Sequence, residues 1–189
     1  EALCAPDSES NYAMVESMVL LYEATKDDKW LKYAKDSLHL LSTWVMPYAY
    51  VFPKNCEFAR LGINTVGSVF ANVQNKHSAP GLCTASGDAI YKLYRYTGNA
   101  AYLQLLRDIV FFMPQCISTE ERPVFTWDQP PKKLMSGCIC ERVNTSDWEG
   151  PEYVGGVFDV SCWCETAVLL TFTELIWNEE ISKILKKVR

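Results

Sequence analysis

A chain of 189 residues with 49% hydrophobic content is long enough for one well-buried domain, and its composition excludes a disordered protein. The net charge is −5 and the basic residues are scattered, so no basic stripe follows a phosphate backbone and nucleic acid is not an expected partner. No apolar run approaches the roughly 20 residues that cross a bilayer, so a membrane is not an expected partner either.

The beginning of the chain shows a helical pattern in two parts. Apolar residues recur at three- and four-residue steps through Met14, Met18 and Leu21, and the same spacing resumes beyond a short polar break. Asp27 stands in this break, where its side-chain oxygen is suited to cap the second helix. We therefore predict a helical hairpin over about residues 8–46.

The first pattern returns in the middle of the chain. LYEATKDDKWLKYAKDSL, which begins at Leu21, aligns without a gap with LYRYTGNAAYLQLLRDIV, which begins at Leu93, and the two share five identities where ordinary usage gives roughly one. The identical pairs are Leu21 and Leu93, Tyr22 and Tyr94, Thr25 and Thr97, Leu31 and Leu103, and Asp36 and Asp108. Asn99 takes the position of Asp27, so the capping chemistry repeats as well. A second hairpin is predicted over about residues 84–113.

A third copy is fainter. ETAVLLT aligns with ESMVLLY of the first copy and DAIYKLY of the second, which places Glu16, Asp88 and Glu165 at one equivalent position near the start of a first helix. With a two-residue slip, Asn178 takes the capping position, and EEISKILKK has acids at its start and lysines at its end, as a short helix favours. A third hairpin is predicted over about residues 160–188.

Two long segments separate the predicted hairpins. Residues 47–83 and 114–158 contain several prolines and glycines, so neither can form one continuous helix. Loops of this length are usually functional or disordered, and the aromatic content of both segments argues against disorder. We predict a single all-α domain over residues 1–189, built from three α/α hairpins with long irregular loops.

The hairpin repetition, with phrases such as ASGDAIYKLYRYTGNAAYLQLLRDI, resembles the six-hairpin (α/α)6 toroids of many glycoside hydrolases and polysaccharide lyases. In those proteins inner and outer helices alternate around a ring, and three hairpins correspond to an arc of about half a toroid. Terpenoid cyclases also use α/α toroids, but the chain has no run of closely spaced aspartates suited to Mg²⁺ on a diphosphate. The resemblance implies a glycoside hydrolase acting on a poly- or oligosaccharide. The alternative is a non-catalytic carbohydrate-binding or structural half-toroid.

The second long loop alternates flat rings with carboxylates. In the toroids that the chain resembles, the ligand cleft lies near the N-terminal ends of the inner helices and the loops that lead into them. Rings pack against the apolar faces of a pyranose, while carboxylates and amides bind its hydroxyls. The predicted substrate-binding residues are Trp127, Asp128, Trp148 and Tyr153.

Glycoside hydrolysis typically needs two carboxyl groups, separated by roughly 5 to 5.5 Å or 6.5 to 9.5 Å. NTSDWEGPE supplies Asp147 and Glu149 as the predicted pair, and a solvated loop is the alternative interpretation. Asp88 and Glu165 are further catalytic candidates, although carboxylates near helix starts also interact favourably with the helix dipole. His77, in the Gly- and Pro-marked stretch QNKHSAPG, is a candidate proton carrier or an ordinary hydrogen-bonded histidine.

The chain has eight cysteines, including two C-x-C pairs at Cys138 and Cys140 and at Cys162 and Cys164. Structural zinc sites usually have the spacing C-x₂₋₄-C, so free buried thiols are the first interpretation, disulfides the second and zinc the third. No metal or other cofactor is predicted. The cysteine content favours an extracytoplasmic location, periplasmic or secreted.

Three hairpins leave the flanks of the first and third uncovered, whereas six would close a ring. The chain also begins at Glu1 rather than Met, which indicates a processed chain or a piece of a longer one. We expect a contiguous apolar surface along the first and third hairpins, covered by a second copy or by the remainder of a longer chain. A carbohydrate is the expected ligand.

Overall fold

The computed structural model of the protein describes residues 7–73, 77–82, 87–158, 162–176 and 179–186. In these residues the chain is mostly helical, as predicted, with one small two-stranded antiparallel sheet. The helices are α1 (Ser8–Thr25), α2 (Asp28–Ser42), α3 (Glu57–Leu61), α4 (Asp88–Thr97), α5 (Ala100–Phe112), α6 (Cys162–Thr171) and α7 (Glu179–Lys186). The strands are β1 (Val69–Phe70) and β2 (Ser78–Ala79), and a π-helical turn, Phe172–Ile176, continues α6.

The turn between α1 and α2 is closed by hydrogen bonds that its own residues supply. Lys26 adopts the left-handed conformation (φ 57°) and its N–H donates to the carbonyl of Tyr22 at 2.8 Å. The Thr25 hydroxyl donates to the carbonyl of Leu21 at 2.7 Å. Asp27 caps α2 by accepting a hydrogen bond from the backbone N–H two residues on, at 3.0 Å, which confirms its predicted role.

The turn between α4 and α5 has the same construction. Gly98 is left-handed (φ 68°) and donates to the carbonyl of Tyr94 at 2.8 Å, while the Thr97 hydroxyl donates to the carbonyl of Leu93 at 2.7 Å. Asn99 caps α5 by accepting from the N–H of Ala101 at 3.1 Å, as predicted. The likeness between the two sequence copies therefore extends to the geometry of their turns.

The third predicted hairpin contains α6, the π-helical turn and α7. Its proposed capping residue, Asn178, lies outside the described residues. Six of the described helices fall within the predicted ranges 8–46, 84–113 and 160–188, whereas α3 lies in the first long segment, which the sequence predicted as an irregular loop. That the three pairs are copies of one unit arranged in an arc stays a prediction.

Glu16 does not lie near the start of a first helix, and this part of the prediction is wrong. Asp7 is the N-cap of α1, so Glu16 falls more than two turns into the helix, where its side chain is exposed. Asp88 is the first residue of α4 and Glu165 lies in the first turn of α6. Aligned residues in the three copies therefore do not lie at the same distance from the starts of their helices.

One hydrophobic core joins the helices to the long irregular segments. From the helices it takes buried side chains such as Val15, Leu38 and Leu93, and from the loops it takes Phe58 and Ile139. Fully burying an aliphatic or Phe side chain stabilises a fold by about 1.5–3 kcal/mol. The long segments are therefore packed parts of the domain. No helix that the structure describes combines the length and apolar character needed to cross a membrane.

Gly67 provides a test of how the first long loop packs on α5. Its φ is +90°, and a Cβ at this position would overlap the backbone carbonyl of Asp108. Gly137 has a similar φ of +94° but nothing within 4 Å of an added Cβ, so it is the matched control. We expect Gly137→Ala to lower the free energy of unfolding by about 1 kcal/mol, from backbone strain alone. Gly67→Ala should cost about 2–3 kcal/mol more, because the backbone must also move. Equal losses in urea titrations would contradict the close approach.

Candidate functional site

Backbone hydrogen bonds tie the candidate site to the beginning of α1. The N–H of Ser8 donates to the carbonyl of Ala71 at 3.1 Å, and the N–H of Ala71 donates to the carbonyl of His77 at 3.0 Å. Ser78 and Val143 exchange two hydrogen bonds, at 3.1 and 2.6 Å. This short ladder brings His77, from the first long loop, beside the acid-rich end of the second.

A polar cluster of His77, Arg142 and Glu149 forms where the two loops meet. Nη2 of Arg142 lies 2.5 Å from Oε1 of Glu149, and the two side chains are only 12% and 22% exposed. The guanidinium lies 4.2 Å from the ring centroid of Phe158 and 5.7 Å from that of Trp127. Arg142 therefore joins a predicted catalytic carboxylate to a predicted substrate-binding ring.

Each member of the polar cluster carries a buried atom without a hydrogen-bond partner in the described structure. These atoms are Nδ1 of His77, Nε of Arg142 and Oε2 of Glu149. An unsatisfied buried polar group costs about 1–3 kcal/mol, and native proteins contain few of them. Three in one cluster indicate that the arrangement of these residues does not serve stability alone.

The imidazole of His77 is neutral at physiological pH. Burial, and then the nearby Arg142, lower the pKa of His77 from 6.5 to about 4, while Glu149 opposes the shift. A neutral imidazole exchanges hydrogen bonds with a ligand without adding charge. Its role as a proton carrier stays a prediction.

An aromatic cleft of about 580 Å³ is lined in part by Trp127, whose ring is also approached by Arg142 of the polar cluster. The rings of Trp127 and Tyr153 line it together, with centroids 4.7 Å apart and planes at 55°. Asn55, Glu57 and Glu152 contribute polar groups to the same wall. The volume is in the range of small-molecule sites, roughly 300–1,000 Å³.

The Gly155-Gly156 pair allows the aromatic cleft to form. A Cβ at Gly155 would overlap the thiol of Cys56, and one at Gly156 would lie 2.9 Å from Cε3 of Trp127. The N–H of Trp127 donates to the carbonyl of Val157 at 3.0 Å, which holds the indole against this bare backbone. The two glycines therefore serve close packing as well as the turn.

The two residues of the predicted catalytic pair, Asp147 and Glu149, lie in different surroundings. Glu149 belongs to the polar cluster, whereas Asp147 and Trp148 are exposed and are not among the residues that line the aromatic cleft. The carbonyl of Asp147 accepts from the N–H of Gly150 at 3.0 Å, so its backbone closes a turn in this loop. The structure thus gathers Glu149, Trp127 and Phe158 around Arg142 and leaves the exposed Asp147 and Trp148 outside this group.

Asp128 has a local role next to the cleft without lining it. Its carboxylate accepts from the hydroxyl of Thr126 at 2.8 Å and pairs with Lys132 at 3.1 Å. The hydrogen bond from Thr126, and then that from Lys132, lower the pKa of Asp128. These contacts stabilise the turn that follows Trp127.

Asp88 and Glu165 lie in other surroundings. Asp88 pairs with Lys92 at 3.0 Å within α4. The ammonium of Lys92 also lies 3.3 Å from the carboxylate of Glu23 in α1, so Asp88 helps to orient the side chain that holds α4 against α1. Glu165 is exposed and near Cys138; burial, and then Glu165, raise the pKa of that thiol. Neither carboxylate lines the aromatic cleft.

The cysteines that the structure describes with their side chains are free thiols, in agreement with the first interpretation. They are Cys56, Cys116, Cys138, Cys140 and Cys164. The N–H of Cys140 donates to the carbonyl of Cys116 at 3.0 Å, and burial together with the Cys140 thiol raises the pKa of Cys116. Within the described residues, no group of three or more His, Cys, Asp or Glu side chains is arranged to hold a metal ion.

Sequence reasoning did not find Arg142 or Asn144 as site residues. Arg142 is the only basic residue between 141 and 158, and a lone cation in an acidic, aromatic loop is a signal for an ion pair. Asn144 begins a glycosylation sequon, but it is fully buried and its Nδ2 donates to the carbonyl of Tyr153 at 3.0 Å. Its amide therefore orients a ring of the cleft.

Compared with known proteins, the chain matches no protein-family model, no curated protein and no solved structure. Its function is therefore inferred from the geometry of the polar cluster and the aromatic cleft.

The buried His77 should make stability depend on pH above the range where carboxylates titrate. Its pKa is about 4 in the folded protein against an ordinary 6.5, so between these values the unfolded chain binds more protons. Stability should fall as pH drops from 6.5 toward 4.5, by at most about 1.4 kcal/mol per unit. His77→Gln should flatten this slope in urea titrations, whereas the control His39→Gln should retain it. Parallel slopes for all three proteins would contradict the prediction.

Proposed function

We propose that the aromatic cleft binds a carbohydrate and that the chain acts as a carbohydrate-binding α/α domain. The observation that carries this proposal is the pair of rings, Trp127 and Tyr153, lining one cleft with the amide of Asn55 and the carboxylate of Glu152. Tilted rings offer apolar faces to the C–H groups of a pyranose, while amide and carboxylate groups bind its hydroxyls.

The rings of the cleft are held in place before a ligand arrives. The indole of Trp127 lies against Gly156, and its backbone N–H donates a hydrogen bond to the carbonyl of Val157. The guanidinium of Arg142 lies 5.7 Å from the centroid of the same ring. Tyr153 is held through its carbonyl, which accepts from Asn144. Side chains fixed in this way lose little entropy when a ligand binds, which favours affinity.

Binding has better support than catalysis because two of the carboxylates at the site, those of Glu57 and Glu149, are already engaged. Glu57 accepts from Arg60 at 2.7 and 2.5 Å and from the N–H of Phe125 at 2.8 Å. Glu149 is paired with Arg142. A general acid or nucleophile needs a carboxyl group that is free to reach the glycosidic bond.

One observation supports glycoside hydrolysis as a second candidate function. Oε2 of Glu149 is buried without a hydrogen-bond partner, in the same cluster as the neutral His77. A carboxylate with one oxygen engaged and the other unengaged is suited to exchange a proton with a substrate once the loop adjusts. Asp147, which is exposed in the same loop, would be its partner carboxylate.

The proposal also covers the arrangement of the helical pairs and the protein surface that covers their exposed apolar side chains. Three α/α pairs forming an arc, like half of an (α/α)6 toroid, are supported by the matching turns after α1 and α4. Met14, Leu20 and Leu21 leave exposed apolar surface on α1, which suits a second copy or the remainder of a longer chain. An extracytoplasmic location, where polymeric glycans are encountered, is part of the same proposal.

Glycan binding should depend on Trp127. We expect the protein to bind at least one of cello-, xylo-, manno- and chitohexaose in calorimetric titrations, and Trp127→Ala to weaken that binding about tenfold or more through loss of ring stacking. Trp30→Ala, which removes an indole from α2, is the control and should bind like the wild type. Equal affinities for the two variants would rule out the aromatic cleft as the glycan-binding site.

Turnover tests the second candidate. If the chain hydrolyses glycans, Glu149→Gln should abolish the release of reducing sugar, because an amide of the same shape neither donates the acid proton nor attacks. Asp147→Asn should lower turnover by a similar factor if the two act together. Thermal unfolding should show both variants folded, and unchanged turnover in Glu149→Gln would remove this residue from the mechanism.

A further inference from the structure

We infer that the ligand is an extended, uncharged oligosaccharide, which occupies a second cleft as well as the aromatic cleft. This inference rests on the proposed carbohydrate binding and adds a second subsite to it. The second cleft has a volume of about 350 Å³ and is lined by the rings of Trp44, Tyr48, Tyr50 and Phe70 and by the hydroxyl-bearing Thr43 and Thr145.

The second cleft repeats the chemistry of the first. Tyr48 is 57% exposed and Trp44 carries a buried indole N–H without a hydrogen-bond partner in the described structure. Rings beside hydroxyl groups suit a sugar for the same reason as in the aromatic cleft. An exposed ring at the mouth of a cleft is also available for stacking without rearrangement.

Backbone pairing makes the second cleft rigid. The N–H of Phe70 donates to the carbonyl of Trp44 at 2.7 Å, which attaches one wall to β1. The hydroxyl of the buried Thr65 donates to the carbonyl of Tyr48 and accepts from the N–H of Tyr50, both at 2.8 Å. The two tyrosines are therefore held at a fixed separation.

The two clefts are near neighbours. Tyr50 lines the second cleft and Pro53 lines the aromatic cleft, and three residues of extended chain span at most about 11 Å. Between them the ring of Phe52 contacts that of Tyr50, with centroids 4.9 Å apart. Thr145 and Pro151 belong to one loop and line the second and the aromatic cleft respectively. The distance between the two linings is therefore within the length of an oligosaccharide of a few units.

The lining also indicates the class of sugar. All the described residues that line the second cleft are uncharged, whereas the aromatic cleft includes Glu57 and Glu152. None of the described residues in either lining is a lysine or an arginine, so these residues offer no cation to the carboxylate of a uronic acid or to a sulfate group. Neutral hexose or pentose units fit both clefts best.

The test measures affinity against chain length. Cello-, xylo-, manno- and chito-oligosaccharides of two, four and six units would be titrated by calorimetry into the wild type and into Tyr48→Ala, Tyr48→Phe and Tyr33→Ala. Tyr33→Ala removes an exposed tyrosine of α2 and is the control. We expect wild-type affinity to rise about tenfold from two units to six. Tyr48→Ala should lose this rise while binding the disaccharide normally, and Tyr48→Phe, which keeps the ring, should retain it.

The outcomes separate the two proposals. A wild type that binds glycans with no dependence on length, or a Tyr48→Ala variant that keeps the dependence, overturns the second subsite and leaves the proposed function standing. Oligogalacturonides of the same lengths would be titrated alongside, and tighter binding of these than of the neutral chains overturns the assignment of sugar class. If none of the oligosaccharides binds the wild type, the proposed function fails and the second subsite fails with it. Because Tyr48 is exposed, circular dichroism should show the variants folded.

Discussion

The guanidinium of Arg142 is the contact on which the candidate site depends. It pairs with Glu149, lies over Phe158 and approaches Trp127, so a single side chain sets the positions of an acid and two rings. Removing one partner of a buried ion pair costs about 3–5 kcal/mol, whereas a hydrophobic replacement of the whole pair is often neutral. The pair is therefore better explained by the placement of these groups than by stability, and the unsatisfied atoms of the cluster point the same way.

The helices and the loops have different roles in the fold. The helices supply most of the core, while the polar cluster and the aromatic cleft are made largely of irregular backbone. Irregular backbone holds a shape only where its polar groups are bonded and its apolar side chains are buried. The ladder from Ser8 through Ala71 to His77 meets the first requirement, and Phe58 and Ile139 meet the second. The position of the site relative to α1 follows from these contacts.

The charges at the site are largely paired. Arg142 and Glu149 cancel each other's charge, and burial keeps His77 uncharged above about pH 4. Glu57 of the aromatic cleft is balanced by Arg60, while Glu152 adds a carboxylate to the lining. The proposal of a neutral, hydroxyl-rich ligand rests on this pairing of charges together with the ring faces.

The sequence by itself determined the features that depend on neighbouring residues. Asp27 and Asn99 were recognisable as caps because a cap bonds a backbone N–H only two residues away, and the helical spacing around them is equally local. Trp127 and Tyr153 were predicted as binding residues by their type, and their role in binding stays a prediction. The depth of Glu16 in α1 could not be predicted in this way, because residues aligned between copies do not mark where a helix begins. Only the tertiary structure decided that Arg142 joins Glu149 to Trp127, that Ser78, next to His77, pairs with Val143, and that Asn55 lines the same cleft as Tyr153. These contacts join residues far apart in the chain, and irregular loops have no periodicity that would predict which of them meet.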